Sequence, residues 1–129
     1  KVIEDVVRLG LESKALLRRV RALRKKVGKD LIPLRREVIE FRASEMDLGR
    51  SDRFDRLKRN SIEDILLANF KRCEEAARVL EEMFKMVAKK EPLRSGRGRK
   101  GWSGWFKELR FRLYDLERAA VVFSHKKRS

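Results

Sequence analysis

The chain has a single cysteine, Cys73, among its 129 residues, which rules out an intrachain disulfide framework. It has a single histidine, His125, with no Cys, Asp or Glu close to it in sequence, so nothing marks it as a metal ligand or a catalyst. Its two prolines, Pro33 and Pro92, leave long stretches free to form helices. No apolar run approaches membrane-spanning length and no signal-peptide pattern opens the chain, so the expectation is a soluble cytoplasmic protein with no membrane partner. Charge is abundant. Thirty-five Lys and Arg against twenty Asp and Glu give a formal +15, which attracts polyanions such as nucleotides, nucleic acid or acidic membrane and says nothing about fold.

The stretch from Ser61 to Val87 organises the rest. Ile62, Ile65, Leu66, Cys73, Ala76, Ala77, Leu80, Phe84 and Val87 recur at three- and four-residue spacing and predict one apolar face of a long α-helix. Ser61 followed by Asp64 is a capping-box-like start. Cys73 is expected to be a small core residue. Asn69 interrupts the stripe, and Arg72, Glu75, Arg78, Glu81 and Glu82 run beside it, with Arg78 and Glu82 spaced to pair. This row is either a solvated flank or a polar strip facing an anionic ligand.

Ahead of it, Val2 to Leu9 predicts a helix without a cap, which sets the expectation that an N-terminal piece precedes Lys1; Gly10 is the predicted stop. Ser13 opens a second helix, through Leu16, Val20, Leu23 and Val27, that Gly28 is expected to end. Pro33 suits the first turn of a third, from about residue 33 to 41, burying Leu34, Val38 and Phe41. Residues 42–60 read as a long loop with Arg42, Glu45, Asp47, Arg50 and Arg53 around Gly49; loops of that length in small domains are often functional. After Pro92 the chain is basic and glycine-rich up to Gly104. Gly96, Gly98 and Gly101 have the spacing of a phosphate loop but lack the preceding strand that such loops need. Trp102 and Trp105 are expected to anchor the far end of this loop. A last helix is predicted over Ser103–Phe123, buried through Leu109, Leu113, Leu116, Ala120 and Phe123, with Arg110, Tyr114 and Glu117 in a second row; the basic tail from residue 125 is expected to fray.

Lys1–Arg8 (KVIEDVVR) matches Arg78–Lys85 (RVLEEMFK), and Leu23-Arg24 answers Leu109-Arg110. The reading is one all-α domain, a bundle of about four main helices built from two repeated hairpins, 1–28 and 61–124, joined by the 29–60 connector. One hairpin cannot bury its apolar face alone, so two would dock. A pseudo-twofold seam would then gather Arg24, Arg72, Arg78 and Arg110 with Asn69, Glu75 and Glu81.

These residues resemble a known family, the small non-canonical hydroxymethylpyrimidine phosphate kinases of thiamin synthesis, which occur alone or fused to thiamin-phosphate synthase. The resemblance lies in Asn69-Phe-Lys-Arg72-Cys-Glu-Glu75-Ala-Ala-Arg78-Val-Leu-Glu81, in Leu109-Arg110-Phe-Arg112-Leu-Tyr114-Asp-Leu-Glu117, and in Arg42-Ala-Ser-Glu45-Met-Asp47-Leu-Gly49. Ala43 stands where the family usually has Asp, Lys25 where His is common, and the Asn-rich start of the first repeat is missing, so the resemblance implies an enzyme incomplete at its N terminus.

The resemblance implies transfer of the γ-phosphoryl group of ATP to hydroxymethylpyrimidine monophosphate, with Mg²⁺, and a functional link to thiamin-phosphate synthase. Joining two anions requires cations and positioning more than a strong base. Arg78, Arg72, Asp47 and Arg42 are the candidate catalytic residues. Asp47 and Glu45, two acids in a basic loop, are the candidate Mg²⁺ ligands. Asn69, Glu75, Glu81, Arg110, Tyr114, Arg24 and Gly49 are the candidate substrate-binding residues. Two other classes stay open: a basic helical nucleic-acid-binding module without catalysis, and a structural helical partner such as a homodimer.

Overall fold

The fold is seen in a computed structural model that describes residues 1–39, 44–47, 49, 58–87 and 98–128. Every regular element among them is helical. Helix α1 (Val2–Val6) runs on into a π-helical turn (Val7–Leu11) and is followed by α2 (Lys14–Asp30), α3 (Ile32–Val38), α4 (Ile62–Val87) and α5 (Gly98–Arg128), with one 3₁₀ turn at Ser44–Met46. Among the described residues the chain is thus all-α with five helices, α1, α2, α4 and α5 as the main ones and the short α3 in the connector. No helix among the described residues is long and apolar enough to cross a membrane.

Helix α4 has the expected bounds, and its cap is reciprocal. The Asp64 N–H donates to Ser61 Oγ at 3.0 Å, and Asp64 Oδ2 accepts from the Asn60 N–H at 3.0 Å. Its buried line is Leu66, Phe70, Ala77 and Phe84, with Leu80 half-buried. Phe70, which the sequence stripe left out, is fully enclosed, as is Leu66; each such side chain contributes about 2 kcal/mol by burial. Ile62 and Ala76, expected in the stripe, are exposed. Cys73 is exposed too, contrary to its expected core position. It shares the buried line's register, but that line opens there into a cleft.

Helices α4 and α5 lie antiparallel: Glu63 meets His125 and Arg128 at one end, and Glu81 meets Ser103 and Arg110 at the other. α1 and α2 form a smaller hairpin joined through Glu4. One apolar cluster combines Ile3, Val7, Leu16 and Val20 with Leu66, Phe70, Leu113 and Leu116 across all four helices. A second, of Phe84, Trp102, Trp105 and Phe106, is covered by Val27, Leu31 and Leu34. Phe84 stacks on Phe106 with centroids 5.6 Å apart, and Trp105 meets Phe106 edge-on at 5.0 Å. Trp105 Nε1–H also donates to Asp30 Oδ2 at 2.9 Å, tying α5 to the end of α2.

Several predicted ends move. Gly10 does not stop the first helix. It lies within the π-helical turn under Ile62, where an added Cβ would sit 3.1 Å from Ile62 side-chain atoms, and the turn ends at Glu12 in the left-handed conformation, φ 56°. Ser13 caps α2 as expected, its Oγ accepting from the Leu16 N–H at 3.3 Å. Gly28 lies inside α2, which reaches Asp30, where Lys26 and Trp105 hold the last turn. α3 ends at Val38, which is exposed because α3 reaches the core only through Leu34; Phe41 lies outside the described residues. α5 begins at Gly98, five residues earlier than predicted, because buried Trp102, Trp105 and Phe106 hold its first turns to the core. The expected glycine-rich loop up to Gly104 is therefore helical from Gly98, and the rest of it lies outside the described residues, as does most of the 42–60 stretch. The basic tail continues α5 to Arg128, with Lys127 Nζ donating to the Gly10 and Leu11 carbonyls at 3.1 Å each.

Candidate functional site

Two buried carboxylates collect most of the candidate arginines. In α1, Glu4 is almost wholly enclosed. Arg21 Nε donates to its Oε1 at 3.0 Å, Arg24 Nε donates to its Oε2, and Lys1 Nζ lies 3.9 Å away. The Arg21 bond, then the Arg24 bond and charge, hold the Glu4 carboxyl below the usual carboxylate range, against the opposing effect of burial.

In α4, Glu81 is equally enclosed. Arg110 donates to its Oε2 through Nε at 3.2 Å and Nη2 at 3.0 Å, while Arg110 Nη1 donates to the Tyr114 hydroxyl at 3.3 Å. Arg78 spans the acidic pair, with Nη1 3.4 Å from Glu81 and Nη2 3.3 Å from Glu82. Lys85 stands 3.7 Å from Glu81. Burial pushes the Glu81 carboxyl up, but the hydrogen bond and charge of Arg110, with Arg78 and Lys85, outweigh it and leave it lowered. The Arg110 guanidinium also faces the Phe111 and Tyr114 rings, 5.0 and 5.7 Å from their centroids. Arg78, Glu75 and Tyr114 line a surface depression of about 470 Å³ beside Lys71 and Glu74.

Between the two hairpins lies a cleft of about 290 Å³. Its walls pair positions from both halves: Ile3 with Leu80, Leu23 with Leu109, and, at the same offset as Leu23 and Leu109, Val20 with Phe106 and Val27 with Leu113. Cys73, Ala76 and Ala77 form its α4 side, and Lys1 and Arg24 are its charged residues. The expected gathering of all four arginines at one seam is not what the structure places there. The seam is apolar; Arg24 borders it, Arg78 and Arg110 turn to Glu81, and Arg72 is exposed on α4. The physical reason is that burying Glu4 and Glu81 requires cations within reach of each, and each takes the nearest.

Asn69 donates its amide to the Ile65 carbonyl at 2.8 Å, one turn back in its own helix. In the turn after α3, Asp47 Oδ1 accepts from the Gly49 N–H at 2.8 Å, and Glu45 is exposed. Arg42 lies outside the described residues. No group of three or more His, Cys, Asp or Glu side chains that could hold a metal occurs among the described residues. Asp47 and Glu45 therefore fit only the sparse kind of Mg²⁺ site, in which one or two carboxylates complete a shell made mostly of water and substrate phosphate.

Sequence reasoning missed the pairing of Glu74 with Glu117. Glu74 Oε2 is buried and finds no donor among the described residues. Burial, then the facing Glu117 carboxylate and the charge of Glu75, push Glu74 up to about 8. The available signal was Glu117 in the predicted second row of α5, at the spacing that faces α4.

No curated protein and no solved structure matches the chain. One family model does, over residues 1–119, and it covers both carboxylate clusters and the cleft. The chain belongs to the ThiD2 family, a family related to the hydroxymethylpyrimidine phosphate kinases of thiamin biosynthesis.

Proposed function

We propose that the chain is an ATP-dependent kinase that converts hydroxymethylpyrimidine monophosphate to the diphosphate. Family membership supports the pathway. The observation that carries the reaction is the presence of two like clusters, Lys1, Arg21 and Arg24 around Glu4 and Arg78, Lys85 and Arg110 around Glu81, the first of which borders the cleft through Lys1 and Arg24. A reaction that joins two phosphorylated molecules needs two such groups of cations. The paired cleft positions favour the finer fold reading of two docked copies of one hairpin, a copy supplying each cluster.

In the reaction, an oxygen of the monophosphate bonds to the γ-phosphorus of ATP. The bond from that phosphorus to the β–γ bridging oxygen breaks, and ADP leaves with the electron pair. The acceptor is ionised near neutral pH, so no strong base is required. Arg78 and Arg72 on α4, with Arg42, are the residues we assign to the transferring phosphoryl group, and Glu75, Asn69 and Tyr114 to the adjoining contacts. Asp47 and Glu45 would hold the Mg²⁺ that accompanies the nucleotide, which would supply charge neutralisation at the phosphoryl oxygens. The product is the substrate that thiamin-phosphate synthase consumes.

Incubation with ATP, Mg²⁺ and the pyrimidine monophosphate, assayed for the diphosphate, tests the reading. Diphosphate formed in proportion to ADP supports it, and its absence from folded protein overturns it. Net charge alone favours the second reading, a nucleic-acid-binding module. Tight, steeply salt-dependent binding of DNA without ATP turnover would put that reading first.

A further inference from the structure

The two carboxylate clusters differ in how their arginines are spent. Arg110 uses Nε, Nη1 and Nη2 on Glu81 and Tyr114 and is only 13% exposed. Arg21 and Arg24 each reach Glu4 through Nε alone, and they are 46% and 47% exposed. Their terminal Nη groups donate to no described residue. Glu4 therefore acts as an anchor: with Asp5, which pairs with Lys1 at 3.1 Å, it leaves one of three cationic charges in excess, and it orients both guanidinium groups while leaving their outer edges exposed. An oxyanion arriving there meets oriented donors whose conformational entropy is already spent.

The neighbouring cleft says what such an anion would carry. Arg24 and Lys1 line it, and the other wall residues are apolar apart from Cys73. At about 290 Å³ it has room for a small planar ring. We infer that Arg24 and Arg21, with Lys1, bind the phosphate of a small-ring phosphomonoester whose ring enters the cleft between Leu23 and Leu109, and that the Glu81 cluster, whose Arg110 is spent, is not this site. On the kinase reading, on which the ligand's identity rests, this is where the phosphoryl acceptor binds. The Arg78 side is then left for the donor. Arg21 and Lys1 were not among the residues the sequence singled out.

The test is isothermal titration of the full chain with hydroxymethylpyrimidine monophosphate, with the unphosphorylated alcohol and with inorganic phosphate, in the absence of ATP. The monophosphate should bind at least about tenfold more tightly than either fragment, because each fragment lacks one half of the site. Arg24→Lys and Arg21→Lys keep the charge and lose the fork, and each should weaken monophosphate binding about tenfold or more. Arg112→Lys, whose partner Glu108 lies one turn back in α5 and which is not among the cleft's lining residues, should bind as the unaltered chain does. If Arg24→Lys unfolds, Arg21→Lys combined with Lys1→Met decides, since these side chains are 46% and 63% exposed. Unchanged affinity in the folded variants overturns the assignment, as does equal binding of alcohol and monophosphate. Turnover that survives these substitutions unaltered would keep the kinase and discard the site. Binding that depends on Arg21 and Arg24 without any turnover would keep the site and discard the kinase.

Discussion

Glu81 and Arg110 are joined across α4 and α5 by two hydrogen bonds to one carboxylate oxygen, in surroundings where neither is more than 13% exposed. A buried carboxylate without its main cation is far more costly than the pair is stabilising. Arg110→Ala should therefore lower the Tm well beyond Arg112→Ala, which breaks only an exposed pair with Glu108 on the same helix. The double variant Glu81→Gln with Arg110→Ala should recover part of the loss. Equal Tm values for the two single variants would mean that Arg78 and Lys85 suffice to hold Glu81.

Stability should fall off on both sides of about pH 5, and from different carboxylates. Glu4 and Glu81 are lowered in the fold, so their contribution is present above the ordinary value of 4.5 and is lost as pH falls below it. Glu74 runs the other way. Its folded value is raised from 4.5 to about 8, so the folded chain holds a proton there that the unfolded chain has released, and stability declines as pH climbs through that window. Glu74→Gln removes the titration and keeps a donor for Glu117. Thermal melts from about pH 2 to about pH 9 should show the alkaline decline flattened in this variant and the acid limb unchanged. Identical profiles would show that the Glu74–Glu117 pair carries no such linkage.

What could be read from the residues alone follows the strength of their periodicity. α4 was legible end to end because a Ser–Asp cap precedes a stripe unbroken by Gly or Pro. The Glu4–Arg24 and Glu81–Arg110 bonds fall on residues that the repeat had set side by side. The ends of α2 and α5 were not legible, because glycine reads as a stop unless contacts distant in sequence override it. Asp30 is held by Trp105, and the turns after Gly98 by Trp102 and Phe106, which no local pattern shows. Cys73 looked like core because its register is that of the buried line; only the tertiary arrangement shows that the line opens into the cleft. The committed state of Arg110 and the open state of Arg24 are likewise beyond spacing, since both sit in the same Leu-Arg dipeptide.

Glu12 offers a stability gain that leaves both carboxylate clusters untouched. It holds the left-handed conformation at φ 56° to end the π-helical turn, which costs a side-chain-bearing residue about 1 kcal/mol more than glycine. Its ion pair to Lys127, at 3.7 Å, is exposed and weak. Glu12→Gly should raise stability by somewhat under about 1 kcal/mol, measured by urea unfolding. A loss instead would show that the contact with Lys127 matters more than the backbone strain.

On the kinase reading, two substitutions outside the cleft separate charge from geometry. Arg78→Lys keeps the cation but cannot span Glu81 and Glu82 as the guanidinium does at 3.4 and 3.3 Å. It should weaken substrate binding, raising the KM for ATP about tenfold. Asp47→Ala removes one of the two acids assigned to Mg²⁺ and should abolish Mg²⁺-dependent turnover with the circular dichroism spectrum unchanged. Full activity in either variant removes that residue from the mechanism.

Cys73 reports on the cleft directly, since its thiol is exposed on the cleft's α4 wall and the chain has no other cysteine. A disulfide reagent should therefore label one thiol per folded chain without denaturant. If a ring-bearing phosphomonoester fills the cleft, saturation with hydroxymethylpyrimidine monophosphate should slow labelling about tenfold or more, because the reagent then reacts only with the fraction of chain left unoccupied. Inorganic phosphate, which lacks the ring, should slow it far less. In Arg24→Lys the same monophosphate concentration should protect less, in proportion to the lost affinity. Labelling at one rate with and without the monophosphate, at concentrations where calorimetry shows binding, would place the ligand elsewhere, with the depression beside Arg78 and Tyr114 the next site to test.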